Sequence, residues 1–442
     1  MLANDPLPTT VAGVAVASVT LSLARRADRF PDRTAVVDVS EERLYAPAET
    51  VHEDRVSYGE LSAIAGRTAG RLASLGIGAG DTVCFVSRNR VASLAVLFAC
   101  RRLGATYAPI CHWLTPATVT RPFEALDPDL VVSEAAQRDL VRSIPFDRSV
   151  TLEELAAEEG ASIEPSDGVD GGSESGDADD DPDTPLLALH GESGRPVAGF
   201  SARAVEWNCI TAAVTWGLSA VDSTIVCTPL STVDGLFRVA LPLLYAGGTV
   251  LLDRAFDPGD ALTAIADHGV TTLACRSTAI RELAASDGVA AVDGLDRVLC
   301  DAATPAEALA PYLDRGVPIA RAYGRLECPV ALSGSIDPDR DDGGSVDDVD
   351  VGRPVLDCRA RLVDADGTVL EGAVEGRLQL SGPVLADGYA TTAGTDDDWF
   401  DPAAAATAES AAESDPDRGR FTDGWFDTGE TVRRDEDGRY HR

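Results

Sequence analysis

No lysine occurs in the 442 residues, so each of the 37 basic side chains is an arginine. A mechanism that needs a lysine amine, as nucleophile or as a compact ammonium against phosphate, has no residue to run on. Arginine stays charged and presents a planar fork of donors, which suits bidentate anion contacts instead. The nine cysteines are Cys84, Cys100, Cys111, Cys209, Cys227, Cys275, Cys300, Cys328 and Cys358. They form no C-x-x-C pair, and most lie in apolar runs such as DTVCFV and VLFAC. That pattern reads as buried small hydrophobes in a reducing compartment, not as a disulfide framework or zinc site. The 73 acidic residues bring the net charge to −36. This excludes nucleic acid and anionic lipid as partners, because those contacts need cations that neutralise phosphates. A high-salt cytoplasm and a GC-rich genome account for both biases, so the expected location is cytoplasmic.

The length suits about three domain-sized units. Hydrophobic residues make up 45% of the chain and aromatics only 5%, so Ala, Val and Leu must do most of the packing. The apolar stretch 11–24 follows Asp5 and is too short to span a bilayer, so no membrane span is expected. Residues 20–34 read as an amphipathic helix stopped by Pro31, and AVVDV as a strand. Ser57 with Glu60 three positions on is the capping-box pattern, which opens a helix over 56–76. DTVCFVS, a helix over 90–103 and TYAPI follow. Residues 157–185 carry many carboxylates and almost no apolar side chains, the composition of a solvated acidic linker. Alternation resumes at LLALHGE, with helices predicted over 202–217, 234–246, 258–268, 277–285 and 305–315. Between them lie the strands TIVCTPL, TVLL, TTLAC and RVLC, with PIARAYG after the last. Strand–helix alternation argues for parallel α/β sheets. After Gly324 come short strands with D-G and E-G turns, and a second acidic insert covers 391–419. The predicted division is an α/β unit over 21–156, another over 186–324, and a β-rich, barrel-like unit over 325–442.

Several segments, in this order and spacing, resemble the adenylate-forming superfamily of acyl- and aryl-CoA ligases, peptide-synthetase adenylation domains and luciferases. The nearest likeness is to long- and medium-chain acyl-CoA synthetases. The segments include VSYGELSAIAGRTAGRLASLGIGAGDTV, LFACRRLGATYAPICHWLTPA, YAGGTVLL, GVPIARAYGRLE, VGRPV, GRLQLSGPVLADGY and DGWFDTGE. The resemblance implies one large AMP-binding domain over 21–438. Its expected fold is a layered αβαβα arrangement of two parallel or mixed sheets flanked by helices, with a β-barrel-like subdomain.

The resemblance also assigns roles. LHGESGRPVAG, residues 189–199, stands where the family has T-S-G-T-T-G-x-P-K-G, a loop whose backbone N–H groups converge on phosphate. Gly191, Glu192, Ser193, Gly194 and Arg195 are thereby nucleotide-binding candidates, with Arg195 a cation. Asp301, Ala302 and Ala303 stand where a strand end of small residues packs on adenine. In AYGRLE, Tyr323 and Gly324 take the adenine-stacking place and Glu327 the Mg²⁺ place; Leu326 replaces a threonine, and Arg325 is a nearby cation. Glu430 stands for the aspartate that chelates the ribose. Thr232, Val233, Asp234 and Gly235 fall on the acyl pocket, with Thr232 in the place of a histidine. Cys111-His112-Trp113-Leu114 matches a structural element. No residue is singled out as catalytic.

The implied reaction activates a fatty or aryl carboxylic acid with ATP to an acyl-adenylate, and then forms a CoA thioester. ATP/AMP and Mg²⁺ are the implied cofactors. The family's small C-terminal domain supplies an adenylation lysine, and this chain ends about where the hinge to it begins. That domain is expected to be absent, which puts CoA in doubt and leaves the task to a separate C-terminal-domain protein or a paralogue. His190, Glu192, Val197, Leu326 and Glu430 depart from the nucleotide motifs, so impaired activity is expected. The alternative is a non-catalytic nucleotide- or acyl-adenylate-binding module or scaffold.

Overall fold

The structure is a computed structural model that describes residues 23–39, 54–142, 144, 146–157, 185–336, 349–390 and 420–442. The expected linker, apart from its ends, and the insert at 391–419 lie outside the described residues.

Two sheets carry the fold. In the first, Pro185–His190, Thr106–Ile110, Thr82–Val86, Leu130–Ser133 and Ser149–Thr151 run parallel in that order. TVCFV and TYAPI are buried at every position, as strands covered by helices on both faces must be. Val197–Ser201 and Gly388–Tyr389 add antiparallel strands at one edge. The second sheet has fifteen strands among the described residues. Its parallel part is Thr34–Asp38, Thr249–Leu252, Ser223–Val226, Thr272–Cys275, Arg297–Asp301 and Ile319–Arg325. The expected barrel-like end continues this sheet as antiparallel strands from Cys328–Ile336 onward. Helix Tyr58–Ser74 opens with the predicted capping box: Ser57 Oγ accepts the Glu60 N–H at 3.2 Å, and Glu60 accepts the Ser57 N–H at 2.8 Å. All nine cysteines are buried and unpaired.

The sheets do not follow the expected division of the chain. Thr34–Asp38 and Asp54–Ser57 form an edge of the second sheet, with Val36 opposite Val250. Pro185–His190 and Val197–Ser201 complete the first, with Leu187 opposite Tyr107. Alternation along the chain shows that strands exist but not which edge each one joins. Val197–Ser201 itself was not expected, since PVAGFS is short and follows a glycine-rich turn. The predicted helix over 234–246 is three pieces: Val233–Gly235, a widened turn at Leu236–Ala240, and Leu241–Ala246. Pro242 is the cause. It has no N–H for the carbonyl four residues back, and its ring crowds that carbonyl, which belongs to Arg238.

Candidate active site

A cavity of about 480 Å³ lies at the carboxyl ends of parallel strands from both sheets. Cys111 follows Thr106–Ile110, His190 ends Pro185–His190, the 232–234 turn follows Ser223–Val226, and Arg276 follows Thr272–Cys275. Open α/β sheets bind ligands in such crevices, where loops rather than helices border the strand ends.

The 190–195 turn forms one wall. Gly194 has φ +89°, and a Cβ there would stand 2.7 Å from the Thr118 carbonyl oxygen, so only glycine fits. Gly191 and Glu192 line the cavity, whereas Ser193, Gly194 and Arg195 do not. Ser193 donates its hydroxyl to the Arg195 carbonyl at 3.3 Å. Arg195, the expected cation, is spent on an exposed pair with Glu124 at 2.9 Å. His190 pins two strands together. The Cys111 N–H donates to its Nε2 at 3.0 Å, and its Nδ1–H donates to the Gly191 carbonyl at 2.7 Å. A backbone N–H can only donate and a carbonyl only accept, so the ring is neutral, with its proton on Nδ1. Burial pushes its pKa down, although the bond to Gly191 opposes this.

The positive charge comes from residues that the motifs do not mark. Arg276 donates from Nε to Asp234 at 2.7 Å and from Nη1 to Glu192 at 2.9 Å. Arg238 pairs with Asp234 at 3.2 Å. Burial pushes the Asp234 carboxyl up, but Arg238 and Arg276 more than offset it and hold it below its ordinary value. Arg276 directly follows an apolar strand, a position that the strand-end rule could have flagged. Arg238 could not be flagged, because its placement depends on the widened turn.

Of the expected acyl-pocket residues, Thr232, Val233 and Asp234 line the cavity and Gly235 does not. The Thr232 hydroxyl accepts the Gly235 N–H at 3.2 Å and donates to the Pro229 carbonyl at 2.8 Å, so it caps the turn. Trp113 and Leu114 add apolar surface to the lining.

The 323–327 segment departs from its expected roles. Gly324 lines the cavity, and a Cβ there would meet the Pro329 carbonyl oxygen at 2.0 Å. Tyr323 is buried and donates its hydroxyl to Glu430 at 3.0 Å; burial, with Glu430 beside it, pushes the phenol pKa up, so the hydroxyl stays a donor. Glu430 also takes Arg325 at 2.6 Å and Arg442 at 3.4 Å. Its carboxylate is therefore engaged by protein where a ribose was expected, a reach that the extra methylene of glutamate allows. Arg325 lines the cavity from the same group. Glu327 is 1% exposed, accepts the Tyr389 hydroxyl, and faces Arg325 at 4.0 Å. Magnesium keeps several waters and needs open oxygen positions. Here the Glu327 carboxylate is instead taken up by Tyr389 and Arg325.

Asp301, Ala302 and Ala303 lie outside the cavity lining. Asp301 accepts the Ser277 N–H at 3.2 Å and the Thr304 hydroxyl at 3.1 Å, while Arg321 donates to the Ala302 and Thr304 carbonyls at 3.1 and 2.7 Å. These bonds fix the turn itself; Ala302 is buried and Ala303 exposed.

The crevice, the glycine turn and the two sheets agree with one family. A family model described as AMP-binding enzyme matches residues 23–390. The chain belongs to the AMP-binding enzyme family. Its 28% identity to the feruloyl-CoA synthase of Amycolatopsis sp extends over 404 residues, 87% of this chain and 72% of that protein. Among solved structures, the N-terminal domain of FACL13 from Mycobacterium tuberculosis is similar with TM-score 0.75 at 19% identity, covering 95% of this chain and 97% of that one. The O-succinylbenzoate CoA synthetase of Bacillus subtilis, in complex with ATP and magnesium ion, gives TM-score 0.73 at 20% identity, covering 95% and 78%. At these identities the two structures show the shared fold. As an AMP-binding enzyme the chain is AMP-dependent synthetase/ligase-like. Among the described residues no helix is long and apolar enough to cross a membrane.

Proposed function

We propose that this AMP-binding enzyme activates a carboxylic acid with ATP to an acyl-adenylate and passes the acyl group to CoA. The observation that carries this reading is one cavity in which the 190–192 turn, Arg276 and Arg325 face the 232–234 turn. A carboxylate oxygen attacks the α-phosphorus of ATP, the bond to pyrophosphate breaks, and negative charge grows on the phosphoryl oxygens. Arg276 and Arg325 line this cavity and are the cations that meet that charge in this proposal. A preorganised donor at such a place is worth about 2.7–4 kcal/mol. Glu192 leaves Arg276 readily, because its side chain is 84% exposed and exposed ion pairs contribute about 0–1 kcal/mol. The nucleotide then takes its place, and magnesium enters as the nucleotide's own counter-ion. In the second step the CoA sulfur attacks the acyl carbonyl and AMP leaves. The likeness to a feruloyl-CoA synthase and the Trp113–Leu114 surface support an aryl acid. The net charge of −36 supports a high-salt cytoplasm as the setting.

The test is hydroxylamine trapping in multimolar KCl with ATP, magnesium and ferulate. Acid-dependent hydroxamate together with AMP is expected. ATP turnover indifferent to the acid, or no hydroxamate with any aryl or fatty acid, overturns the reading.

A further inference from the structure

Arg238 is 7% exposed and lines the cavity, yet among the described residues its one ion pair is with Asp234, at 3.2 Å. Its Nε has no acceptor among the described residues. A guanidinium carries five N–H donors, and buried charged donors left unmet are costly. Asp234 is shared, because its other oxygen takes Arg276. Among the lining residues three arginines stand against two carboxylates, Asp234 and Glu192, and Glu192 touches Arg276. Glu430 and Glu327, outside the lining, offset Arg325, which leaves the Arg238 Nε as a donor without an acceptor among the described residues.

Position says which part of a ligand would meet it. Ion pairs run in sequence from Glu192 to Arg276 to Asp234 to Arg238. Arg238 is thus the cation farthest along this chain from the phosphate turn, on the side of the acyl pocket. It sits in the widened turn Leu236–Ala240 that Pro242 imposes, a distortion that recurs at functional sites.

We propose that the acid carries a second carboxylate, remote from the one that reacts, and that Arg238 binds it: the substrate is a dicarboxylic acid. Trp113, Leu114 and Val233 hold the apolar part between the two carboxylates. This rests on the adenylation reading and names its substrate class.

The experiment is ATP–pyrophosphate exchange with matched pairs, adipate against hexanoate and 4-carboxycinnamate against cinnamate. The wild-type protein is expected to favour each diacid at least tenfold in kcat/KM. In R238M that ratio falls on the order of 10- to 150-fold, the value of a hydrogen bond between charged groups. R238K, which keeps the charge without the fork, retains part of it and serves if R238M does not fold. Equal rates for diacid and monoacid in the wild type, or a ratio unmoved in both variants, overturn the proposal. If no acid supports exchange, the adenylation reading has failed on its own. Calorimetry of adipate and hexanoate in the presence of ATP then decides the inference: tighter adipate binding supports it, and equal or absent binding overturns it.

Discussion

Replacing Arg276 with leucine removes the side chain that joins the phosphate turn to the acyl wall, by bonds of 2.9 Å to Glu192 and 2.7 Å to Asp234. The effect on folding is modest. The Glu192 side chain is 84% exposed, so its pair contributes about 0–1 kcal/mol. Asp234 keeps Arg238 at 3.2 Å, which reduces the usual cost of losing a charged hydrogen bond to about 1–2 kcal/mol. The effect on chemistry is larger. If Arg276 meets charge that develops on the α-phosphoryl group, its loss costs about 2.7–4 kcal/mol, or on the order of 10²- to 10³-fold in kcat/KM. ATP–pyrophosphate exchange measures this directly, with thermal unfolding of the same preparation as the control. R276K should recover only part of the rate, because an ammonium restores charge without the fork that spans both carboxylates. An R276L protein that exchanges within about threefold of wild type would show Arg276 to be only a strut between two acids.

Burial holds His190 neutral and pushes His112 down to about 4, the latter helped by Arg88. The unfolded chain takes up both protons below about pH 6.5, so stability falls as pH drops from 7 towards 5, by at most about 1.4 kcal/mol per unit for each histidine. H190Q should flatten that slope in pH-dependent thermal unfolding, and an unchanged slope would count against the neutral tautomer. Glu206 is raised to about 7 by burial, which Arg101 and Arg25 only partly oppose. Its folded carboxyl therefore loses stability as pH rises above the usual carboxylate range, so E206Q should raise Tm at pH 8 and leave it unchanged at pH 4; a lower Tm at pH 8 would contradict this. G324A places a Cβ 2.0 Å from the Pro329 carbonyl oxygen. Overpacking of this kind costs about 1–3 kcal/mol, so a clear loss of Tm is expected and wild-type stability would show that the strand can shift.

The fold was legible where burial leaves a local trace. TVCFV, TYAPI and the Ser57–Glu60 box are local patterns, and each forms the predicted element. Sheet membership was not legible, because Thr34–Asp38 pairs with Thr249–Leu252 and no local pattern encodes a partner that distant. The same holds within the site. Gly191, Glu192 and residues 232–234 line the cavity, and the glycine spacing and strand ends that singled them out are local signals. The charges were not legible. Arg195 lies in the motif but pairs with Glu124, and Glu430 spends its oxygens on Tyr323, Arg325 and Arg442. Whether a charge serves a ligand or another side chain depends on neighbours from other strands. Arg238 is the extreme case, because a proline four residues on sets the turn that holds it.

In the proposed reaction, arginines gathered near the phosphate turn activate a carboxylic acid. Acid-dependent ATP–pyrophosphate exchange in multimolar KCl tests it most directly. Exchange is expected only when a carboxylic acid is added, and it falls by at least about two orders of magnitude in R276L. ATP that binds by calorimetry while no acid elicits exchange would contradict it.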